Sequence, residues 1–244
     1  MDTKEIYLKK INEFIEKYKD VSKIASINTY LKGNAKIIYG LPMKRFKALF
    51  GKYINEFANL NNDDLFNIIN SLFLSLAFEK QVAACMLLKN NVEKLNIDLP
   101  NLFQEYIENN IIINWAVADQ TALNILSKLN NLSFTYDYAS HENYLLRRSA
   151  VVTFAEKNMT DDDCNMLIYI IKLLLNEKEE YVLRASGWAI RNIYNYNEKI
   201  YFDFLNDYAH KLPRIMLRNA IEMLEEDIRM NILVTSKEKR DGLK

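Results

Sequence analysis

Glu142-Asn143-Tyr144-Leu145-Leu146-Arg147-Arg148-Ser149-Ala150 realigns on Glu179-Glu180-Tyr181-Val182-Leu183-Arg184-Ala185-Ser186-Gly187, 37 residues downstream. Each copy opens a helical pattern, and a second apolar helix follows it before the next copy begins. Arg214-Ile215-Met216-Leu217-Arg218-Asn219-Ala220-Ile221 starts a third copy, with Ala220 in the place of Ala150 and Gly187. Gln81-Val82-Ala83-Ala84-Cys85 carries a similar small-residue site earlier in the chain. Helix pairs repeating at this length bury their apolar faces against their neighbours and build an α-solenoid. Small residues at the shared position let adjacent helices approach closely. Equivalent side chains then project from one side of the stack: Arg147 with Arg184, Arg148 with Arg218, and Val151 with Trp188.

The rest of the chain agrees with an all-α reading. Of 244 residues half are apolar, while Gly (5) and Pro (3) are scarce, and few breakers argue for helix nearly throughout. The length suits about six helix pairs and buries roughly 70–75% of the unfolded surface. Helices are predicted at about 4–19, 21–32, 42–59, 62–76, 78–95, 100–110, 113–129, 142–157, 160–176, 178–195, 198–210 and 213–230. Pro42 and Pro100 suit a first helical turn, and Thr160-Asp161-Asp162-Asp163 supplies a cap with acidic residues behind it. With no linker in view, residues 1–234 read as one domain. The polar residues 235–244 read as a C-terminal tail, with fraying expected after about Leu233.

Cys85 and Cys164 have neither metal-ligand nor disulfide-framework spacing and read as buried thiols in a reducing compartment. His141 and His210 have no ligand partners, so neither metal nor cofactor is expected. Met1-Asp2-Thr3-Lys4-Glu5 has no apolar core of a signal peptide, and the most apolar run, Met166 to Leu175, is too short to cross a bilayer. A monomeric cytoplasmic protein is expected.

Formal charge is zero but unevenly spread. Residues 1–60 carry 12 Lys/Arg against 6 Asp/Glu, and residues 61–140 carry 4 against 9. Between positions 21 and 52 stand Lys23, Lys32, Lys36, Lys44, Arg45, Lys47 and Lys52 with no acidic residue among them. That asymmetry points to an anionic partner. The row Arg147, Arg148, Arg184 and Arg218 reads either as a phosphate track or as cations paired with Glu142, Glu179 or Glu180.

Trp115 and Asp119 stand four apart in Ile113-Asn114-Trp115-Ala116-Val117-Ala118-Asp119-Gln120, which sets indole and carboxylate side by side on a helix. The small apolar surroundings imply a partly desolvated carboxylate. The second tryptophan follows Gly187 in Ser186-Gly187-Trp188-Ala189-Ile190-Arg191, where the glycine leaves room for something to approach the ring. Core packing is the simpler alternative for both indoles.

Trp115-x-x-x-Asp119, Leu146-Arg147-Arg148-Ser149-Ala150-Val151 and Ser186-Gly187-Trp188-Ala189-Ile190-Arg191 resemble motifs of the bacterial AlkD-type DNA alkylation repair glycosylases. Tyr30-Leu31-Lys32 and Tyr39-Gly40-Leu41-Pro42-Met43-Lys44-Arg45 resemble that family's N-terminal segments. The resemblance spans roughly residues 25–225. It implies a right-handed superhelix of HEAT-like pairs that grips duplex DNA and releases N3- and N7-alkylated purines without flipping the base. It assigns catalysis to Asp119 with Trp115 and Trp188. It gives Arg148 a backbone contact and places Tyr30 and Arg191 in the groove; Lys32, Lys44, Arg45, Arg147 and Arg184 are further DNA-binding candidates. The family's pattern often has a second Trp and a second acid where this chain has Asn114 and Ala116. Two rivals stay open: a catalytically silent repeat protein for bent or branched DNA, and a protein-interaction scaffold.

Overall fold

A computed structural model describes residues 2–95 and 97–242. Among these residues there are fourteen α-helices and no strand; Ile37 and Ala77 form one isolated bridge. The chain divides into two compact units, Met1–Lys128 and Leu129–Lys244, where the sequence reads as a single stretch.

The first unit holds α1 (Thr3–Tyr18), α2 (Ile24–Tyr30), α3 (Met43–Tyr53), α4 (Asn62–Leu74), α5 (Phe78–Lys89), α6 (Leu99–Glu108) and α7 (Trp115–Asn124). Side-chain caps set several starts. Asp2 and Glu5 form a capping box on α1, Asn61 caps α4, and Asp98 caps α6 with Pro100 in its first turn. Pro42 stands at the cap of α3 rather than inside it. Apolar residues at helical spacing meet inside: Ile11, Phe14 and Ile15 of α1, and Leu65, Ile68, Ile69, Leu72 and Phe73 of α4 are all buried. The Phe14 ring lies 6.0, 5.8 and 5.1 Å from those of Phe46, Phe50 and Tyr53. Each fully buried Phe contributes about 1.5–3 kcal/mol through apolar burial.

The second unit holds α8 (Phe134–Ala139), α9 (Tyr144–Val152), α10 (Asp161–Leu173), α11 (Glu180–Tyr196), α12 (Glu198–Tyr208), α13 (Arg214–Ala220) and α14 (Glu226–Gly242). Helices α9, α11 and α13, which carry the three repeat copies, pack on one another in sequence order; α10 packs on α8, α9 and α11, and α12 on α11. The small-residue position is the contact. A Cβ on Gly187 would stand 2.4 Å from Asn219 Cβ and 2.6 Å from the Met216 carbonyl oxygen. The glycine therefore admits α13, not a ligand, which corrects the expectation of open space before Trp188. Polar tethers finish the packing: Asn192 donates to the carbonyls of Phe154 and Lys157, and Tyr201 donates to Ala220 O at 3.0 Å.

Several helix boundaries differ from those predicted. Helix α8 lies in a stretch left unassigned; its six residues are too few to show a period, and it holds through buried Thr135, Tyr138 and Ala139. The segment 213–230 is two helices, because α13 stops at Ala220 and α14 begins at Glu226. Residues 235–242 continue α14 rather than fraying, fastened by contacts invisible in local sequence. Arg240 donates to the carbonyls of His210 and Leu212, and Arg214 reaches Ser236 Oγ. Thr160 and Asp163 form a capping box on α10, as the acidic cluster predicts. No helix among the described residues is long and apolar enough to cross a membrane.

Candidate functional site

Helix α7 starts where Asn114 turns extended and accepts the Val117 N–H at 3.0 Å. The departure at Asn114 is thus a helix cap, buried beneath the turn it starts. Trp115 is the first residue of α7, and Asp119 lies one turn further on. Asp119 is only 7% exposed, between fully buried Val117, Ala118 and Ala122. Tyr30, at the end of α2, brings its ring within 4.9 Å of the Trp115 ring at 60°, although 85 positions separate them. Tyr30 is 58% exposed, so this aromatic pair faces solvent on one side. The first unit therefore assembles Tyr30, Trp115 and Asp119 from two helices.

The loop between α2 and α3 carries the second part of the candidate surface. Sequence reasoning missed its organiser, Glu79 on α5. That carboxylate is fully buried and accepts the N–H groups of Tyr39 at 3.0 Å, Gly40 at 2.8 Å and Leu41 at 3.1 Å. Gly40 has φ of +86°, and a Cβ there would stand 2.0 Å from the Asp20 carbonyl oxygen, so only glycine fits. Phe78 donates to Ile37 O at 2.9 Å. The one sequence signal for this latch is a single acid, Glu79, at the head of the stretch Ala77 to Cys85.

Around the loop, Lys23, Lys32, Lys36, Lys44, Arg45 and Lys52 are exposed, and Lys47 is half-buried. Among the described residues no ion pair joins any of the seven to a carboxylate. Arg45 rests over the Tyr18 ring at 5.6 Å. Burial holds the Lys47 ammonium below its ordinary pKa against an opposing effect of Cys85, with a lesser lowering from the charge of Lys89. Burial raises the thiols of Cys85 and Cys164 to about 11, so neither is a poised nucleophile.

In the second unit the arginines are committed differently. Arg147 pairs with Glu177 at 2.6 Å and donates to the carbonyls of His141 and Glu142; the Glu177 side chain is 6% exposed. Burial would raise the Glu177 carboxyl, but hydrogen bonds from Arg147 and from the Glu179 and Lys178 N–H groups outweigh it and hold the carboxyl below its ordinary value. Arg184, its repeat-equivalent, pairs with Glu180 at 2.6 Å across an open helix face, both side chains more than half exposed. Arg191 pairs with Glu222. Arg148 is buried on α9, donates to the Tyr181 carbonyl, and so braces α9 against α11. Trp188 is half-buried at the position where the other copies carry buried Val151 and Ile221. No group of His, Cys, Asp or Glu side chains that could hold a metal ion occurs among the described residues.

No curated protein sequence matches the chain. A predicted DNA alkylation repair enzyme from Enterococcus faecalis, of solved structure, shares the fold: TM-score 0.70 at 19% identity, covering 85% of this chain and 97% of its own. The family described as DNA alkylation repair enzyme matches residues 11–224, from within α1 to the turn after α13. With α7, the α2–α3 loop and all three repeat copies inside that match, the chain belongs to the DNA alkylation repair enzyme family.

Proposed function

We propose that this protein is a DNA glycosylase that hydrolyses the N-glycosidic bond of N3- and N7-alkylated purines in duplex DNA without flipping the base. The observation that carries the reading is Asp119: a carboxylate 7% exposed, one helical turn behind an indole that a tyrosine ring covers.

The chemistry asks for little else. An N3- or N7-alkylated purine is already cationic, so it departs with the bonding electron pair as a neutral base and needs no general acid. Positive charge then grows on C1′ and the ring oxygen of the deoxyribose. An ionised carboxylate offsets that charge, more strongly in a site poor in water, and orients the water whose oxygen bonds to C1′ and whose proton passes to the carboxylate or to solvent. The faces of Trp115 and Tyr30 favour a cation over a neutral nucleotide. Both effects grow with positive charge and read no sequence, as a lesion-general enzyme requires. In the second unit, Trp188 is assigned a second cation-binding face and Arg148 a phosphate contact. Arg191, Lys32, Lys44 and Arg45 add backbone grip.

Release of 7-methylguanine from a duplex, with wild type and Asp119→Asn side by side, tests the reading. Wild type is expected to release free base and Asp119→Asn to release none, with affinity for undamaged duplex nearly unchanged as the check on folding. Equal release by both proteins removes the role of Asp119. No release by wild type, with salt-sensitive duplex binding intact, leaves a silent DNA binder.

A further inference from the structure

Helix α12 ends at Tyr208, and its exposed carbonyl end attracts an unusual number of cations. Lys239 donates to Asn206 O at 3.3 Å, and Arg240 donates to His210 O at 2.9 Å and Leu212 O at 2.8 Å. Lys172 of α10 and Lys211 both stand over the Tyr208 ring, at 4.7 and 5.1 Å from its centre. Arg214 lies beside them, held below its ordinary pKa by burial and by the charges of Arg218 and Arg240.

A helix C-terminus offers only about half a negative charge, far short of these five cations. Asp207, Glu238 and Asp241 are near in sequence, yet among the described residues no ion pair joins them to Lys172, Lys211, Arg214, Lys239 or Arg240. The same cations bear on His210, after burial. Burial, then the charges of Lys211, Lys239 and Arg240, push its imidazole below the ordinary value, and its Nδ1 is buried without a hydrogen-bond partner. Cations that depress one another's ionisation are relieved by an anion.

We propose that the C-terminal end of α12, with α10 and α14, is a second surface for nucleic-acid phosphates. The inference rests on the DNA-directed reading above. Its cations are spread over three elements, which suits a run of phosphates rather than a single one. It also draws on α14, which lies beyond the residues matched by the family. Lys172, Lys211 and Lys239 are exposed, so they reach a backbone without breaking a carboxylate pair.

The test uses the full chain carrying Lys172→Gln, Lys211→Gln and Lys239→Gln together, with an undamaged duplex of about 20 base pairs. Each lost phosphate contact lowers the slope of log affinity against log salt by about 0.9. The slope is therefore expected to fall by about 2 to 3, and the corresponding triple Lys→Arg variant is expected to restore it. As a site-specific readout, the His210 ring resonance is expected to titrate at higher pH once duplex offsets Lys211, Lys239 and Arg240. An unchanged slope overturns the proposal, as does wild type that shows no salt-sensitive binding. An equal His210 shift from inorganic phosphate at matched phosphate concentration also overturns it, in favour of a single-anion site. Base release from 7-methylguanine duplex is scored separately: its absence in wild type sinks the glycosylase reading and leaves the slope measurement decisive for this surface.

Discussion

The α2–α3 region of the first unit and the repeat row of the second handle positive charge in opposite ways. In the first, the seven cations of residues 21–52 surround the α2–α3 loop with no carboxylate partner among the described residues. In the second, two arginines of the repeat row are engaged, Arg147 by Glu177 and Arg184 by Glu180, and Arg191 pairs with Glu222. Each of these three arginines has an acid: Glu177 from the turn before α11, Glu180 from α11 itself and Glu222 from the turn after α13. The acid-free window of the first unit leaves its seven cations without an acid among the described residues. Regular architecture and unpaired positive charge are thus separable properties of one chain, and a formal charge of zero conceals both.

The largest expected effect comes from removing the unpaired charge. Lys32→Gln, Lys36→Gln and Lys44→Gln together are expected to weaken duplex affinity about a hundred-fold at 0.1 M salt and to lower the salt slope by about 2 to 3. Unaltered binding, measured by fluorescence anisotropy across a salt series, breaks the comparison. Next comes the regular side. Gly187→Ala forces α11 and α13 apart and is expected to cost about 1–3 kcal/mol in denaturant unfolding, with no change in the salt slope of the folded protein.

The pair Arg147–Glu177 sharpens the contrast further. Glu177→Gln is expected to cost about 1–3 kcal/mol near neutral pH, since it leaves Arg147 without its ionic partner. Because the folded carboxyl lies below its ordinary value, that stabilisation is complete above the unfolded value of 4.5 and is lost as pH falls through the folded one. Urea melts of wild type and variant should therefore converge in acid; a constant gap contradicts the pairing. The smallest effect belongs to Arg184, whose exposed pair contributes little. Arg184→Gln is expected to change stability by less than about 0.5 kcal/mol while lowering the salt slope by about 1 if phosphate displaces Glu180. That outcome would give one repeat position two uses: structure in the first copy, DNA contact in the second.

Much of this was legible in the sequence because it is written locally. The recurrence at Ala150, Gly187 and Ala220 marks the helix row, and the acid-free window marks the cations that the fold leaves without a carboxylate. Spacing alone set Trp115 beside Asp119 on α7. What escaped reading depends on contacts between distant positions. Arg147 takes Glu177 rather than the acids of its own or the next repeat motif, because the turn before α11 brings Glu177 back to it. Gly187 read as an opening because Asn219 and Met216, which fill that space, lie about thirty positions away. The final helix looked like a fraying tail because its anchors are carbonyls of residues 206–212, and carbonyls leave no trace in composition. Tyr30 covers Trp115 for a similar reason: nothing in either neighbourhood names the other.

The Glu79 latch has one more consequence. Glycine-bearing loops often meet phosphates through backbone amides, whose fixed spacing suits one ligand geometry. Here the amides of Tyr39, Gly40 and Leu41 are turned inward and spent on a carboxylate. What the loop shows outward is ammonium groups on long, swivelling stems, which can meet phosphates at whatever interval they arrive. Such a surface is tolerant by construction: it can follow a duplex whose groove width and path vary, at the expense of distinguishing one stretch from the next.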